Sequence, residues 1–447
     1  MDTTMKRRQY LKGTSIVALT GAAGCVGSEG NNTTTSTTTD GSGGTTGTTS
    51  TSTQSAPDNV VFGGLAAFSG TFAPYWPANH QAIMTAIDEV NAAGGPKGAT
   101  LKLEERDTGG KVQQARQVIP QLVNNDNAQM LMGGTSTTIP ALFDRFAEVQ
   151  TALINPWAGT TFLNDKPADN GTPNDISDDG WVWRTTASDT LPAVGAAVHL
   201  KEEGMNRVGL MHLDTPGARS WVEGFEESFE KIGGTITNTV PFAPDKSSYQ
   251  AELSRLFEAD FDAWVLAPGG TGQAVPVVKD WLSAGYGKQL MMSNSSRTTD
   301  FASAVGSEGD GILGCGATLK GPNYEAFLQK YKQQGDEELH AFATGFYDAV
   351  NLGALALHAA DEFSSVGIEK NLGPVGRNNE GDTVVTTFAE GKEALDNGES
   401  INYEGASTPC NFDKFGEVVT DIGVFEMQGD TWTQVKTLES NELQEAA

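Results

Sequence analysis

The side chains that most often perform catalysis are few and scattered in this sequence. Its 447 residues include five histidines. They form no H-E-x-x-H metal motif, and the chain has neither a G-x-S-x-G nucleophile elbow nor a G-x-x-x-x-G-K-[ST] phosphate loop. His212 ends an apolar segment, where a structural role is commoner than a catalytic one. We therefore expect a protein that is not an enzyme.

Three segments match ligand-binding loops only in part. The glycine-rich segments 314–316 and 269–272 are incomplete as dinucleotide loops and are typical of turns. Residues 175–180 (DISDDG) begin like a calcium loop but place Thr186 where the bidentate glutamate should fall. We interpret this segment as a solvated acidic loop, and we expect no metal ion and no cofactor.

Residues 132–140 (MGGTSTTIP) indicate a different chemistry, the binding of an anion. A strand is predicted to end at Gly133-Gly134, four hydroxyl residues follow, and Pro140 lies near the first turn of the next helix. Free backbone N–H groups at a helix start, with hydroxyls beside them, suit a carboxylate. The same hydroxyls could instead cap the helix, and one residue can do both.

The hydrophobic pattern predicts alternating strands and helices that would position such a site. The predicted strands are 60–65, 101–105, 129–132, 207–213, 262–267 and 289–293, and the predicted helices are 78–93, 113–124, 140–150, 190–203, 217–232, 248–259, 273–284, 323–334 and 341–362. These elements form two βα series separated near residue 184. A strand-like tail follows residue 362, and we expect it to pack on the first series. Repeated βα units predict an α/β fold with parallel sheets covered by helices.

The first 57 residues are typical of export and tethering rather than of a folded domain. Residues 1–25 combine Arg7-Arg8, a short apolar run and the small residues before Cys25. This pattern is similar to a twin-arginine signal ending in a lipobox, in which Cys25 carries the lipid. Residues 26–57 are rich in Ser, Thr and Gly and predict a flexible linker. We therefore expect a protein anchored by lipid to the extracellular face of the cell membrane.

The charge balance excludes some partners. The chain has 57 Asp and Glu residues against 29 Lys and Arg residues, a net charge of −28. This charge argues against nucleic acid as a partner, since nucleic acid is also a polyanion. A dispersed acidic surface with little lysine suits high salt, which indicates a halophile; an acidic mesophilic protein is the alternative. Of three cysteines, Cys315 and Cys410 remain for one disulfide in an oxidising exterior.

Several segments resemble, in order and spacing, the leucine/isoleucine/valine-binding family of ABC-transporter solute-binding lipoproteins, here of haloarchaeal type. The matching segments are 60–76 (VVFGGLAAFSGTFAPYW), 86–98, 123–142, 152–160 (ALINPWAGT), 184–186, 207–214, 261–270, 341–357, 405–417 and 421–427. The resemblance implies two Rossmann-like lobes joined by a hinge of three crossings, the type I periplasmic-binding-protein fold. It assigns residues 58–184 and 319–420 to lobe 1, and residues 185–318 and 421–442 to lobe 2.

The resemblance also implies which residues hold a ligand. The positions matching the family's contacts to the ligand carboxylate and backbone are Thr135, Ser136, Trp157, Ala158, Gly159 and Thr160. Tyr75 matches an aromatic residue of the side-chain pocket. Trp157 could instead belong to the core. Family topology also brings the segments of Cys315 and Cys410 near one another, so that a disulfide is possible, with two buried free thiols as the alternative.

Lobe 2 departs from the family pattern. Where amino-acid-binding relatives place an acidic residue for the ligand ammonium, this sequence has Asn294 or Ser295, and where they place tyrosines it has Pro216 and Thr271. This departure does not support an α-amino acid as the ligand, since its ammonium would lack a carboxylate partner. The expected solute is amino-acid-like, a short amide, a urea-like compound or a carboxylate. We predict Asn294 and Thr271 as the ligand-binding residues of this lobe.

The resemblance predicts a monomeric receptor that captures a small solute and delivers it to the permease subunits of an ABC importer. A sensor of the same fold is one alternative, for which a transmembrane helix after residue 442 would be needed. An exported α/β enzyme is the other.

Overall fold

The structure is a computed structural model, and it describes residues 56–169, 179–318, 320–340, 342–418, 420–439 and 443. The predicted signal with Arg7, Arg8 and Cys25, almost all of the linker, and residues 175–178 of the acidic loop lie outside the described residues. No helix among the described residues is long and apolar enough to cross a bilayer.

Fourteen strands and twelve α-helices can be assigned in the described part of the chain. The strands are β1 (Asn59–Ala66), β2 (Thr100–Asp107), β3 (Ala128–Gly133), β4 (Leu153–Asn155), β5 (Val182–Arg184), β6 (Arg207–Leu213), β7 (Thr235–Phe242), β8 (Ala263–Ala267), β9 (Gln289–Met292), β10 (Leu313–Ala317), β11 (Thr383–Val385), β12 (Ile401–Tyr403), β13 (Ile422–Gln428) and β14 (Thr431–Leu438). The helices are α1 (Trp76–Ala92), α2 (Val112–Pro120), α3 (Ile139–Glu148), α4 (Thr190–Glu202), α5 (Pro216–Lys231), α6 (Gln250–Leu256), α7 (Thr271–Ala284), α8 (Thr299–Val305), α9 (Tyr324–Gln334), α10 (Ala343–Ala359), α11 (Ser365–Gly376) and α12 (Phe388–Asp396).

The first large sheet has five parallel strands in the order β2-β1-β3-β4-β5. Helix α1 shows how the sequence builds it, because Ile83, Ile87 and Val90 form one buried face at helical spacing. The helix ends before Gly94 and Gly95, which both adopt positive φ angles that favour glycine. Separate apolar cores cover the two faces of the sheet.

The second large sheet has seven strands in the order β14-β13-β10-β9-β8-β6-β7. Strands β6 to β10 are parallel, whereas β13 is antiparallel to β10 and β14 is antiparallel to β13. Strand β8 (AWVLA) is buried along its whole length, as expected for a central strand covered on both faces. The chain passes between the two sheets after β5, after β10 and before β13.

The structure contains elements that the hydrophobic pattern did not predict. Strand β7 is an edge strand with mostly exposed or half-exposed residues and an internal Pro241, so it lacks the apolar alternation of a central strand. Helices α11 and α12 lie in the region that we expected to be strand-like. They pack on α10 together with the small parallel sheet β11–β12.

The hydrophobic pattern alone predicts that the whole tail packs on the first series, and this is wrong for its last part. The resemblance instead assigns residues 421–442 to lobe 2. Strands β13 and β14 extend the second sheet, where Ile422 and Val424 enter the core. The strand pattern was correct for these residues, but a pattern along the chain does not show which sheet a late strand joins.

The expected disulfide between Cys315 and Cys410 is corrected by the structure. Both residues are free buried thiols. Cys315 lies in the core of the second sheet, whereas Cys410 lies in a core of the first sheet, beside the carboxylate of Asp348. The two segments precede the second and third crossings of the chain, but their side chains enter different cores.

Candidate functional site

A cavity of about 200 Å³ lies where the carboxyl ends of strands from both large sheets meet. Its walls come from the loops after β1, β2, β3, β4 and β5 on one side and after β6, β8, β9 and β10 on the other. Binding sites in doubly wound sheets lie in this position, outside the carboxyl ends of the strands. The lining includes four of the nine ligand-binding residues that we predicted: Ser136, Trp157, Gly159 and Asn294.

Aromatic rings form the wall on the side of the first sheet. Trp157 is only 5% exposed. It packs edge-on against Phe72 at 5.0 Å and stacks on Trp76 at 5.9 Å, while Phe342 and Phe346 lie at 6.0 and 5.8 Å. Trp157 is thus both a core residue and a wall residue, so the two alternatives considered for it do not exclude each other.

The loop after β3 uses most of its polar groups internally. The Thr135 N–H donates to the Thr138 hydroxyl at 2.9 Å, and that hydroxyl donates to the Thr135 carbonyl at 3.1 Å. Thr135 is buried and does not line the cavity, whereas Ser136 and Thr137 do. These bonds join Thr135 and Thr138 to each other, and no side chain caps the start of α3. Ser136 remains available to a ligand.

Asn155 fixes the loop after β4. Its amide oxygen accepts the N–H groups of Trp157 at 2.8 Å and Ala158 at 2.5 Å. Its amide nitrogen donates to the carbonyls of Gly133 at 2.6 Å and Gly134 at 3.2 Å in the neighbouring loop. Two residues that we assigned to the ligand, Trp157 and Ala158, thus have their backbone N–H groups bound to Asn155. Sequence reasoning missed this role of Asn155.

Of the other residues predicted in this loop, only Gly159 reaches the cavity. Ala158 and Thr160 are buried. The Thr160 hydroxyl accepts the N–H of Phe162 at 3.4 Å, which caps the short helical turn that follows. Ala158 and Thr160 therefore shape the loop without facing the cavity.

Tyr75 and Thr271 line an adjoining cavity of about 800 Å³. The Tyr75 hydroxyl donates to the carbonyl of Ser295 at 3.2 Å, which links the loop before α1 to the loop after β9. Burial raises the pKa of Tyr75, so its hydroxyl stays protonated and able to donate. Tyr75 therefore bridges the two sides of the cleft, and it does not line the smaller cavity.

Two charged residues of the smaller cavity were missed by sequence reasoning. Asp189 lies just beyond β5, and burial raises the pKa of its carboxyl to about 7 against the opposing effect of Arg184. Arg297 lies beyond β9 and its guanidinium carbon is 3.6 Å from the centre of the Phe425 ring. Both residues fall within five positions of a strand end, which is the signal that could have found them.

Side chains tie the first and third chain crossings together. Buried Arg184 donates to Glu417 at 2.6 Å, and the other oxygen of Glu417 accepts the Ser188 N–H at 2.6 Å. Since Asp189 follows Ser188 directly, this ion pair holds Asp189 at the edge of the cavity. No group of histidine, cysteine or acidic side chains among the described residues could hold a metal ion.

Comparison with known proteins places the chain in a family. A family model described as periplasmic binding protein matches residues 59–430, so the chain belongs to the periplasmic binding protein family. A comparison with curated protein sequences gives no significant match.

Solved structures give the same fold. The branched-chain amino acid transporter substrate-binding protein LivJ from Streptococcus pneumoniae, in complex with isoleucine, is similar with a TM-score of 0.68 and 21% identity, over 85% of this chain and 99% of that chain. An ABC-transporter solute-binding protein from Rhodopseudomonas palustris HaA2, in complex with p-hydroxybenzoic acid, has a TM-score of 0.69 and 16% identity, over 86% and 98%. A solute-binding protein from R. palustris in complex with benzoate has a TM-score of 0.67 and 17% identity, over 86% and 97%. The predicted type I periplasmic-binding-protein fold is confirmed.

Proposed function

We propose that this protein is the extracytoplasmic solute-binding receptor of an ABC importer, which captures a small organic solute by closure of two lobes. The observation that carries the proposal is the cavity between the strand ends of the two large sheets. It combines an apolar aromatic wall with a few polar groups, which is the usual composition of a small-molecule site.

The candidate solutes are amino-acid-like compounds, amides and carboxylates. The similar solved structures hold isoleucine, benzoate or p-hydroxybenzoic acid, all small carboxylates with an apolar body. In this chain we assign Ser136, Gly159, Trp157 and Asn294 to direct contact with the solute. Tyr75 and Thr271 complete the opposite end of the cleft, and Thr135, Ala158 and Thr160 support the loops.

The test is a thermal-shift and calorimetry panel of amino acids, amides and carboxylates on the purified protein in high salt. A true ligand at about 100 times its dissociation constant stabilises the folded state by about 2.7 kcal/mol, so a clear rise in melting temperature is expected. The bound compound should be recovered unchanged, and its conversion to a product would contradict a receptor function.

Closure requires that two lobes move about the three crossings. We propose the division made from the sequence, residues 58–184 and 319–420 against residues 185–318 and 421–442. A ligand that contacts both lobes favours the closed state. Small-angle scattering should show a smaller radius of gyration with saturating ligand, and identical profiles would argue against closure.

We further propose twin-arginine export and a lipid anchor at Cys25, with the permease subunits in the same membrane as partners and the receptor itself monomeric. The support is the sequence of residues 7–25. Cys25→Ser should release mature protein into the medium, whereas Lys at positions 7 and 8 should leave precursor in the cytoplasm. Mature, membrane-bound protein from both variants would contradict the signal.

We also propose that the acidic composition is an adaptation to high salt, in a halophilic and specifically haloarchaeal cell. With a net charge of −28, the acidic side chains repel one another at low ionic strength and destabilise the folded state, and salt screens this repulsion. The urea midpoint should therefore rise steadily between 0.2 and 3 M KCl, and a midpoint independent of salt would contradict the adaptation.

A further inference from the structure

Arg297 differs from the other arginines of the folded body. Seven arginines within the described ranges form an ion pair with an acidic side chain: Arg106, Arg145, Arg184, Arg207, Arg219, Arg255 and Arg377. Arg116 is solvent-exposed. Arg297 is half-buried, lines both cavities of the cleft, and has no hydrogen bond or ion pair from its side chain to any described residue.

The surroundings of Arg297 hold the guanidinium but leave its charge unmatched. The Phe425 ring supports one face of the guanidinium at 3.6 Å, and the buried Nε has no hydrogen-bond partner. Burial lowers the pKa of Arg297 to about 10, so the side chain stays charged at neutral pH. A partly buried cation without an anion is costly. Arg297 lacks an acidic partner among the described residues even though the chain has 57 acidic against 29 basic residues.

The opposite wall cannot supply the missing anion. It consists of the uncharged rings around Trp157. The N–H groups of Trp157 and Ala158, which could otherwise bind the carboxylate of a solute, are bound to Asn155. Asp189 is the only acidic residue among the described residues that line the smaller cavity. The larger cavity, which Arg297 also lines, carries Asp245, Asp300, Glu337 and Glu338, but none of these five carboxylates forms an ion pair with Arg297. The guanidinium fork matches a carboxylate in two parallel hydrogen bonds.

We propose that Arg297 recognises the carboxylate of the bound solute, and that the solute is an organic acid whose apolar body lies against Trp157 and Phe72. This inference rests on the proposed receptor function and narrows its ligand class. In amino-acid-binding relatives the second lobe is expected to bind the ammonium of the ligand through an acidic residue. In this protein we infer that it binds the anionic end of the solute instead. The carboxylate can belong to a plain apolar acid or to an amino acid, whose ammonium would then face Asp189.

The experiment compares carboxylates with their primary amides by isothermal titration calorimetry on the full-length protein in high salt. The pairs are benzoate and benzamide, 4-hydroxybenzoate and 4-hydroxybenzamide, isovalerate and isovaleramide, and isoleucine and isoleucinamide. We expect at least one acid to bind 100-fold more tightly than its amide. Arg297→Gln should weaken binding of that acid at least 30-fold while changing the affinity for its amide less than threefold.

Two further variants separate recognition from folding. Arg297→Lys keeps the charge but loses the fork, and it should bind the acid with an affinity between wild type and Arg297→Gln. Arg255→Gln removes a surface arginine that is 57% exposed, and it should bind like wild type. Matching urea midpoints for all variants are expected, and an equal loss for acid and amide would mean a structural role and overturn the inference.

The panel also separates the inference from the receptor function. Binding of an amide or another neutral solute, with no preference for acids, overturns the role of Arg297 and leaves the receptor intact. Binding of no member of the panel overturns both. If an acid binds, Asp189→Asn shows whether the carboxylate belongs to an amino acid or to a plain acid. This change should weaken the binding of isoleucine but not that of isovalerate or benzoate.

Discussion

The two sides of the cleft differ in how their polar groups are used. On the side of the first sheet, the loops after β3 and β4 are bonded to each other through Asn155 and within themselves through Thr138. On the side of the second sheet, Arg297 faces the cavity with its charge unmatched. A satisfied loop is rigid and contributes shape, whereas an unmatched charge contributes selectivity. Under our proposal, the side of the first sheet recognises the shape of the solute's apolar body, and the side of the second sheet recognises its charge.

The largest loss of stability and of ligand affinity should come from Trp157→Ala, because Trp157 belongs both to the wall of the cavity and to the apolar core. Removing a buried ring that contacts four others should cost about 3–5 kcal/mol of unfolding free energy. Urea denaturation measures this loss, and calorimetry should show ligand binding reduced as well. Trp157→Phe keeps an aromatic wall and should lose less in both. A stable Trp157→Ala protein with normal affinity would remove Trp157 from the site.

A somewhat smaller effect is expected for Asn155→Ala. This change leaves two N–H groups and two carbonyls of the adjacent loops without their partner. Unsatisfied buried groups cost about 1–3 kcal/mol each when water cannot replace the bond, so we expect about 2–4 kcal/mol in total after the loops relax. Asn238→Ala is the matched control, since Asn238 is half-buried and donates one solvent-exposed bond to the Arg255 carbonyl. Equal urea midpoints for the two variants would contradict the role of Asn155 in holding the loops after β3 and β4.

The sequence predicted the strands that carry the site better than it predicted the site itself. The apolar runs at β1, β3, β6 and β8 are unambiguous because parallel strands are buried on both faces. Their order along the chain also located the hydroxyl segment at residues 135–138. The pattern missed β4 and β5, which carry part of the site but have only three residues each. It also failed at β7, α11 and α12, whose residues contact solvent on one side and carry proline or glycine.

The individual contacts could not be read from the sequence for a physical reason. Whether a hydroxyl or an N–H faces a ligand depends on which neighbour satisfies it first, and Asn155 and Thr138 are the neighbours here. Arg297 and Asp189 are ordinary loop residues in the sequence. They become notable only when the fold places them in one cavity with no ion pair between them.

A third prediction concerns the pH dependence of stability at Asp189. Its carboxyl has a pKa of about 7 in the folded protein, above the ordinary value of 3.8. Between about pH 4 and pH 7 the folded state therefore holds a proton that the unfolded state has released, so Asp189 favours folding at low pH and this contribution is lost as the pH rises toward 7.

Asp189→Asn tests this contribution. The variant should be more stable than wild type at pH 8 by about 1–2 kcal/mol, a figure reduced because the side chain is only half-buried, and the difference should vanish near pH 4. Urea titrations at four pH values measure it, with Asp260→Asn as an exposed control. Glu417 and Arg184 lie beside Asp189, so Glu417→Gln should be titrated in parallel. A constant difference at every pH would contradict the raised pKa.

The smallest effect should come from Tyr75→Phe, which acts on closure rather than on folding. The change removes only the hydroxyl that donates to the Ser295 carbonyl at 3.2 Å across the cleft. The ring keeps its edge contacts with His340 at 5.1 Å and Phe342 at 6.4 Å. A single neutral hydrogen bond contributes about 0.5–1.5 kcal/mol, and this bond exists only when the two sides meet. Ligand affinity should therefore fall about two- to tenfold while the urea midpoint of the ligand-free protein stays unchanged.

Tyr286→Phe is the control, because Tyr286 stacks on Phe257 in the second half of the molecule and does not line either cavity. A loss of stability without a loss of affinity would mean that Tyr75 supports the first lobe alone, and the two sides of the cleft would then be joined by the solute rather than by the protein.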